Sequence, residues 1–223
     1  MAESPTASNE IMNGLGQQQL EALDGYIRIG AAEASQALST WLERRVRVSV
    51  GRISQLSLET AAEQLGPGDE IACACCMRIN GGLGGHLLLG FDDESGFILC
   101  DTLLNRPTPS TAWGELEISS AQETSNIVGC SFLNSLSRVF PESAPKPGQA
   151  DNPPDPTWIP SPPVFVRDYA AAIMQFTLMD QASASETALV AQTKFTIDDI
   201  PMVWRLLLIP DAKVLDQLTR TLT

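Results

Sequence analysis

The sequence predicts an α+β fold in which a helix-plus-strands unit occurs twice, the two units packing as a pseudo-twofold pair around one mainly antiparallel sheet. Two long segments with helical apolar spacing superpose when the chain is shifted by 98 positions. The aligned residues include Leu38-Ser39 with Leu136-Ser137, and Ile29 with Ile127. Further along, both units contain three leucines followed by an aspartate. These are Leu87–Leu89 with Asp92, and Leu206–Leu208 with Asp211.

The first unit begins with an amphipathic helix near Gln19, where apolar residues recur at spacings of three, four and seven. Alternating apolar residues then predict strands. The predicted strands are 45–50, 71–79 and 86–89. The glycines at 81–85 predict a hairpin between the last two. A short helix is predicted over 92–104, and the cluster Asp92–Ser95 is typical of a helix cap, although it could also bind a cation.

The second unit begins with a long helix predicted from Leu116 to Phe140, which Pro141 ends. Nine prolines then mark residues 141–163 as an extended insertion. The remaining predicted elements are a helix at about 167–179, strands at about 188–197 and 202–209, and a helix from Asp211 onward.

We expect one domain behind a flexible tail. Residues 1–18 are rich in Ser, Gln, Asn and Gly, a composition typical of mobile termini. The predicted domain covers 19–223, and its repeat halves cover about 19–105 and 116–223. The proline-rich insertion therefore belongs to the second half.

Composition argues against several classes of function. The 14 basic and 27 acidic residues give a net charge of −13, which repels nucleic acid and anionic membranes. No basic leader pattern and no apolar stretch of about 18 residues is found, so we expect a cytoplasmic protein. The five cysteines include the crowded Cys73, Cys75 and Cys76, a distribution that favours buried free thiols over a disulfide framework.

The polar residues of the second long helix form the main candidate site. Ser119, Glu123 and Asn126 stand at i, i+4 and i+7, and therefore project from one side of the helix. The apolar stripe containing Ala121 and Val128 lies roughly opposite. By itself such a pattern is also typical of an ordinary solvated helix face.

In context, the segment 119–127 followed by 131–137 resembles the signature helix of the CheC/CheX/FliY chemotaxis phosphatases. That motif is Asp/Ser-x3-Glu-x2-Asn with a downstream proline. The resemblance covers nearly everything after the tail. Its other segments are Leu20–Leu23, Ile29–Ser39, Pro160–Pro163 and Ala188–Val190. The insertion displaces the downstream proline to Pro162 or Pro163, which departs from the family spacing.

The resemblance implies hydrolysis of the aspartyl phosphate of a CheY-like receiver domain. Asn126 would orient the attacking water and Glu123 would hold a receiver lysine. Ser119 and Pro162 would be supporting residues. Mg²⁺ is expected in the receiver, with no metal or cofactor in this chain. The resemblance leaves open a CheD-like partner and a homodimer.

The first half lacks an equivalent site. The 98-residue shift places Glu21, Gly25 and Arg28 at the positions of the three motif residues, so the acid and the amide are both missing there. We therefore expect one competent site and one degenerate site. The alternative is a receiver-binding or flagellar-switch adaptor of the same fold that does not hydrolyse phosphate.

Two other patterns in the sequence suggest different functions. Cys73, Cys75 and Cys76 with His86 suggest zinc or a redox-active thiol, but strand alternation points Cys76 away from the other two. The glycines at 81–85 suggest a phosphate loop, yet no Gly-Lys-Ser/Thr follows them. Buried thiols, a structural histidine and a hairpin are the preferred interpretations.

Overall fold

The structure is a computed structural model that describes residues 14–80, 84–139, 158–179 and 186–222. The described chain follows the order helix, two strands, helix, two strands, helix, and then repeats that order once. The predicted α+β class and the duplication are therefore confirmed. None of the helices in these ranges combines the length and apolar character needed to cross a membrane.

The bounds of the elements show how closely the halves correspond. The first half contains α1 (Gln17–Leu42), β1 (Val46–Val50), β2 (Ser54–Ser57), α2 (Leu58–Glu63), β3 (Ile71–Asn80), β4 (Gly85–Phe91) and α3 (Asp93–Leu104). The second half contains α4 (Glu115–Ser137), β5 (Ile159–Pro160), β6 (Val164–Tyr169), α5 (Ala170–Leu178), β7 (Thr187–Ile197), β8 (Ile200–Pro210) and α6 (Ala212–Thr221). Each element of one half has a counterpart in the other.

All strand pairs in the described sheet are antiparallel. The order is β1-β7-β8-β4-β3-β5, with β2 also paired to β7 and β6 also paired to β3. Exchanging the halves leaves this order unchanged. The strands β4 and β8 pair at the centre, β1 and β2 of the first half pair with β7 of the second, and β5 and β6 of the second half pair with β3 of the first. The halves therefore complete one another's sheet and fold as a unit.

The long helices α1 and α4 pack on one face of the sheet, and α2 and α5 pack on the other. Gly30 permits the close contact between α1 and α4. A Cβ atom at Gly30 would lie 2.8 Å from Cδ1 of Phe132 and 3.0 Å from its Cα. Since Phe132 is fully buried, this contact fixes the depth and orientation of α4 against the core.

Packed structure is found on the N-terminal side of the predicted tail boundary at residue 18. Leu15 is only 8% exposed, and its backbone N–H donates to Oε1 of Gln55 at 2.7 Å. The helix α1 then begins at Gln17 rather than Gln19. A long-range contact therefore holds residues whose composition alone indicated a tail. Residues 1–13 lie outside the described chain.

The predicted helix at 167–179 is wrong at its start. Residues Val164–Tyr169 form a strand that pairs with β3, with Arg167 opposite Cys73, and the helix begins only at Ala170.

The end of the predicted proline-rich spacer is also structured, because Trp158 is buried and Ile159-Pro160 pairs with β3. Residues 141–157 of the insertion lie outside the described chain. The elements β2 and α2 were not predicted.

The hairpin between β3 and β4 is confirmed as an antiparallel pair, although residues 81–83 of its turn lie outside the described chain. Gly85 at its end has a φ of +147°, and a Cβ atom there would lie 2.5 Å from the carbonyl oxygen of Ile209. Only glycine suits this position. The predicted cap of α3 is also confirmed, since Asp92 Oδ1 accepts from the Ser95 N–H at 2.6 Å.

Asp93 connects the start of α3 to the sheet. Arg167 donates from Nη2 to Oδ2 at 2.7 Å and from Nε to Oδ1 at 2.9 Å, a bidentate pair. Nε1 of Trp113 donates to Oδ1 at 2.7 Å, and Sγ of Cys73 donates to Oδ1 at 3.2 Å. This carboxylate thus accepts bonds from β3, β6 and the segment before α4.

We expect Asp93 to make the free energy of unfolding depend on pH. The hydrogen bond from Arg167, with help from Trp113, lowers its pKa from 3.8 to about 2. Because the folded-state pKa lies below the unfolded value, the stabilisation is present above that value and is lost as pH falls toward 2. The side chain is 35% exposed, so screening limits the effect to about 1 kcal/mol.

Urea unfolding of the wild type and Asp93→Asn measures this contribution. The wild type should be more stable at about pH 5.5, and the difference should shrink at about pH 3. Using the difference between two proteins removes the contribution of every other carboxylate. A difference that does not change with pH would contradict the assignment.

Candidate functional site

The helix α4 presents its three motif residues on its outward side. Ser119 and Glu123 are exposed and Asn126 is half-buried, whereas Ala121 and Val128 are fully buried. The side chain of Glu123 forms no ion pair or hydrogen bond with the described part of the chain. An acid and an amide one turn apart are therefore presented where another molecule could reach them.

Asn126 has one side-chain neighbour that the motif did not predict. Sγ of Cys130, one turn further along α4, lies 3.7 Å from Oδ1 of Asn126, within reach of a weak thiol hydrogen bond. Burial, followed by the charge of Glu123, raises the pKa of the Cys130 thiol. The thiol therefore stays protonated. The i+4 spacing was visible in the sequence, but nothing in it distinguished this cysteine from the others.

The loop containing Pro162-Pro163 contacts α4 at Gln122. Nε2 of Gln122 donates to the carbonyl oxygen of Pro163 at 2.8 Å. Ser161 fixes the loop to β3, because its N–H donates to the carbonyl of Arg78 at 2.7 Å and its Oγ accepts from the Arg78 N–H at 3.0 Å. Pro162 is exposed. Despite the unusual spacing in sequence, a proline loop therefore reaches the helix that bears the motif.

A partly buried ion pair holds the first turn of α4. Glu117 is 5% exposed and forms an ion pair with Nη1 of Arg106. The same carboxylate accepts from the Gly114 N–H at 3.1 Å, which caps the helix. Ser110 joins this group, since its Oγ accepts from Arg106 at 2.9 Å and its N–H donates to Asp101 at 2.9 Å. These contacts fix the segment between α3 and α4 against the first turn of α4, which precedes the motif residues.

Burial and hydrogen bonding act in opposite directions on Glu117. Its pKa is lowered, because the hydrogen bond from its own backbone N–H and the nearby Arg106 outweigh the desolvation of the carboxylate. The side chain therefore remains charged at neutral pH. It supports the site as a fixed anion that belongs to the fold and does not face solvent.

The corresponding surface of α1 has different chemistry. Glu21, Gly25 and Arg28 are all exposed on α1, in the positions that the 98-residue shift gives them. Glu21 accepts from Nε2 of Gln17 at 2.9 Å, and Gly25 offers no functional group. The described residues therefore place an acid and an amide together at the motif positions of α4 and not at those of α1.

The cysteines are packing residues in the core. Cys73 and Cys75 belong to the cluster under α1 and α4, whereas Cys76 belongs to the cluster under α2 and α5, as strand alternation predicted. Burial raises the pKa of Cys75 to about 12 and that of Cys76 to about 11. Such thiols are protonated and unreactive at neutral pH. This disfavours the redox interpretation of the cluster.

The structure does not bring these thiols together as a metal site. His86 is buried in β4 opposite Arg78. Across residues 14–80, 84–139, 158–179 and 186–222, no group of three or more His, Cys, Asp or Glu side chains is arranged to hold a metal ion.

The duplicated unit around one antiparallel sheet defines a specific class of fold, which comparison with solved structures identifies as the CheC/CheX/FliY type. FliY from Thermotoga maritima superposes with a TM-score of 0.68 at 15% identity, over 93% of this chain and 97% of that one. The FliM middle domain from H. pylori gives 0.64 at 12%, over 93% and 99%. A chain of the FliG-FliM complex from H. pylori gives 0.66 at 12%, over 91% and 100%.

The likeness is one of fold. No protein-family model matches the sequence, and no curated protein matches it. The predicted resemblance is thus confirmed at the level of architecture, and it covers the whole compact region. The roles of individual residues on α4 rest on their chemistry and placement.

Proposed function

We propose that the chain is a cytoplasmic phosphatase that hydrolyses the aspartyl phosphate of a CheY-like response regulator. The observation that supports this most directly is the outward pair of Glu123 and Asn126 on a rigid helix. The Pro162-Pro163 loop contacts the same helix through Gln122, and Gly30 and Glu117 anchor α4 to the rest of the fold. A site on a packed helix can hold its groups in a reproducible geometry.

Asn126 is the group suited to the chemical step. An acyl phosphate is already activated, so the reaction needs a water molecule aligned with the phosphorus more than it needs a strong base. A carboxamide oxygen can accept a hydrogen bond from that water, and its NH₂ group can donate to a neighbouring oxygen. The weak contact with Cys130 leaves most of this capacity available.

Glu123 is suited to docking. Its exposed carboxylate has no described partner, so it can form a charge-assisted hydrogen bond with a lysine at the rim of the receiver's phosphorylation site. The Mg²⁺ that neutralises the phosphoryl oxygens would be held by the receiver. Ser119 and Pro162 would complete the contact surface. A CheD-like partner and a homodimer remain proposals that the sequence raised.

The decay of a phosphorylated receiver domain tests this proposal. The receiver is phosphorylated with a small acyl-phosphate donor, the donor is removed, and phosphate release is followed with and without a substoichiometric amount of this protein. The expected result is multiple turnovers per molecule and faster decay of the acyl phosphate. Equal decay rates in the two samples would contradict the proposal that the protein is an enzyme.

A second candidate is an adaptor of the same fold that binds a partner without hydrolysis. The likeness to the FliM middle domain favours it, as does the loss of the acid and amide on α1. This candidate predicts measurable binding of the receiver by titration calorimetry together with unchanged decay. Binding and decay measured on one sample therefore separate the two functions.

A further inference from the structure

On the side of the sheet where α2 and α5 pack, the described elements leave part of the sheet uncovered. These helices cover Ala188 and Val190 of β7 and Leu207 and Ile209 of β8. Further along the same strands, the side chains facing this side are exposed or half-buried. We call this region the open sheet face; it consists of Arg47 and Ser49 of β1, Gln192, Lys194 and Thr196 of β7, and Val203 and Arg205 of β8.

The charges on the open sheet face contrast with the rest of the chain. Its seven residues include three cations and no carboxylate, although the net charge of the chain is −13. Arg47 and Lys194 are exposed and Arg205 is half-buried. None of the three forms an ion pair with an acidic side chain of the described residues. The face is therefore a local cationic surface.

The strand register arranges these cations along a diagonal. Lys194 lies opposite Ser49 of β1 and Val203 of β8, so Arg47 and Arg205 are its diagonal neighbours on the two flanking strands. Diagonal neighbours in an antiparallel sheet are about 7–8 Å apart. Three positive charges thus follow one line across three strands at roughly equal spacing.

We propose that the open sheet face binds an extended acidic segment of a partner protein. Alternate residues of an extended chain point the same way and repeat every ~6.6–6.8 Å, close to the spacing of the cations. A segment with acidic residues at every second position would therefore align three carboxylates with Arg47, Lys194 and Arg205. This surface lies on the opposite side of the sheet from α4 and is independent of the proposed phosphatase site.

The surroundings favour a short peptide over a long polyanion. At the end of the cationic line, Val203 and Arg205 also line a groove with a volume of about 260 Å³, whose other lining residues include the acidic Glu63, Glu70 and Asp92. These groups limit the cationic line to three residues. A nucleic acid or an anionic bilayer would extend over them and would also meet the overall negative charge.

Fluorescence anisotropy with a labelled Glu-Ser-Glu-Ser-Glu peptide tests the proposal at low salt. We expect saturable binding that weakens as salt is added, since exposed ion pairs are screened. The double variant Arg47→Gln, Lys194→Gln should bind about tenfold more weakly. The matched variant Arg28→Gln, Lys213→Gln has the same net charge but alters exposed cations elsewhere, and should bind within about twofold of wild type.

The following outcomes would overturn the proposal. Equal affinity of the two double variants would show that only net charge matters. Equal binding of the Gln-Ser-Gln-Ser-Gln peptide would exclude carboxylate recognition. Tighter binding of a single-stranded oligonucleotide or of phosphatidylserine vesicles would assign the face to another class of partner. Both double variants change exposed side chains, so we expect both to fold, and circular dichroism checks this.

Discussion

Asn126→Ala is expected to abolish the acceleration of receiver dephosphorylation, with a loss of about a hundredfold or more in turnover. The amide is half-buried on the outside of α4, and its described side-chain contact is the weak one from Cys130. Its removal should therefore leave the fold intact while removing the group that we propose orients the attacking water. Phosphate release under multiple-turnover conditions measures the effect.

Asn134→Ala is the matched control for this variant. It makes the same chemical change at an exposed position two turns further along α4, outside the motif. We expect wild-type turnover from it. The Asn126→Ala protein should still bind the receiver with an affinity near that of the wild type, because Glu123 remains. Turnover by Asn126→Ala equal to that of an active wild type would reject the role of the amide.

The motif face was predictable because a single helix defines it. The spacing of Ser119, Glu123 and Asn126 fixes their common direction once α4 forms, and no distant residue is needed to infer it. The repeat was predictable for a similar reason, since apolar periodicity and the leucine triplets are local features. Local pattern was therefore sufficient for the fold class and for the outward face.

The edge strands were not predictable because they depend on distant partners. Val164–Tyr169 becomes β6 by pairing with β3, and Pro160 pairs with Ile79 although it follows a proline-rich segment. Likewise, the six residues of α2 are too few to form a stable helix alone and depend on the burial of Ala61. Periodicity within a few residues contains no information about such contacts.

The duplicated architecture allows the motif residues to be present on α4 and absent from α1. Exchanging the halves maps the sheet order onto itself, so the outward surfaces of α1 and α4 are structurally equivalent. Neither Gly25 nor Arg28 is needed for packing, since both are exposed. The α1 surface can therefore change without cost to the core, whereas Gly30, on the inner side of the same helix, cannot.

Arg106→Met is expected to give the largest loss of stability, about 3 kcal/mol in the free energy of unfolding. It leaves the carboxylate of Glu117, which is 5% exposed, without its cation at the first turn of α4. Desolvation of an unpaired charge is the main cost, because the hydrogen bond from the backbone N–H of Glu117, the largest cause of its lowered pKa, remains in the variant and favours the charged carboxylate. Urea unfolding at neutral pH measures the loss.

Two further variants distinguish a buried unpaired charge from a general loss of contacts. Arg220→Met removes the cation from an exposed pair with Asp216 within α6, and should cost no more than about 0.5 kcal/mol. Adding Glu117→Met to Arg106→Met removes the stranded carboxylate and should recover part of the stability, although the cap on Gly114 is lost. If the double variant were no more stable than Arg106→Met, the destabilisation would come mainly from lost packing around Arg106 and only slightly from the buried charge.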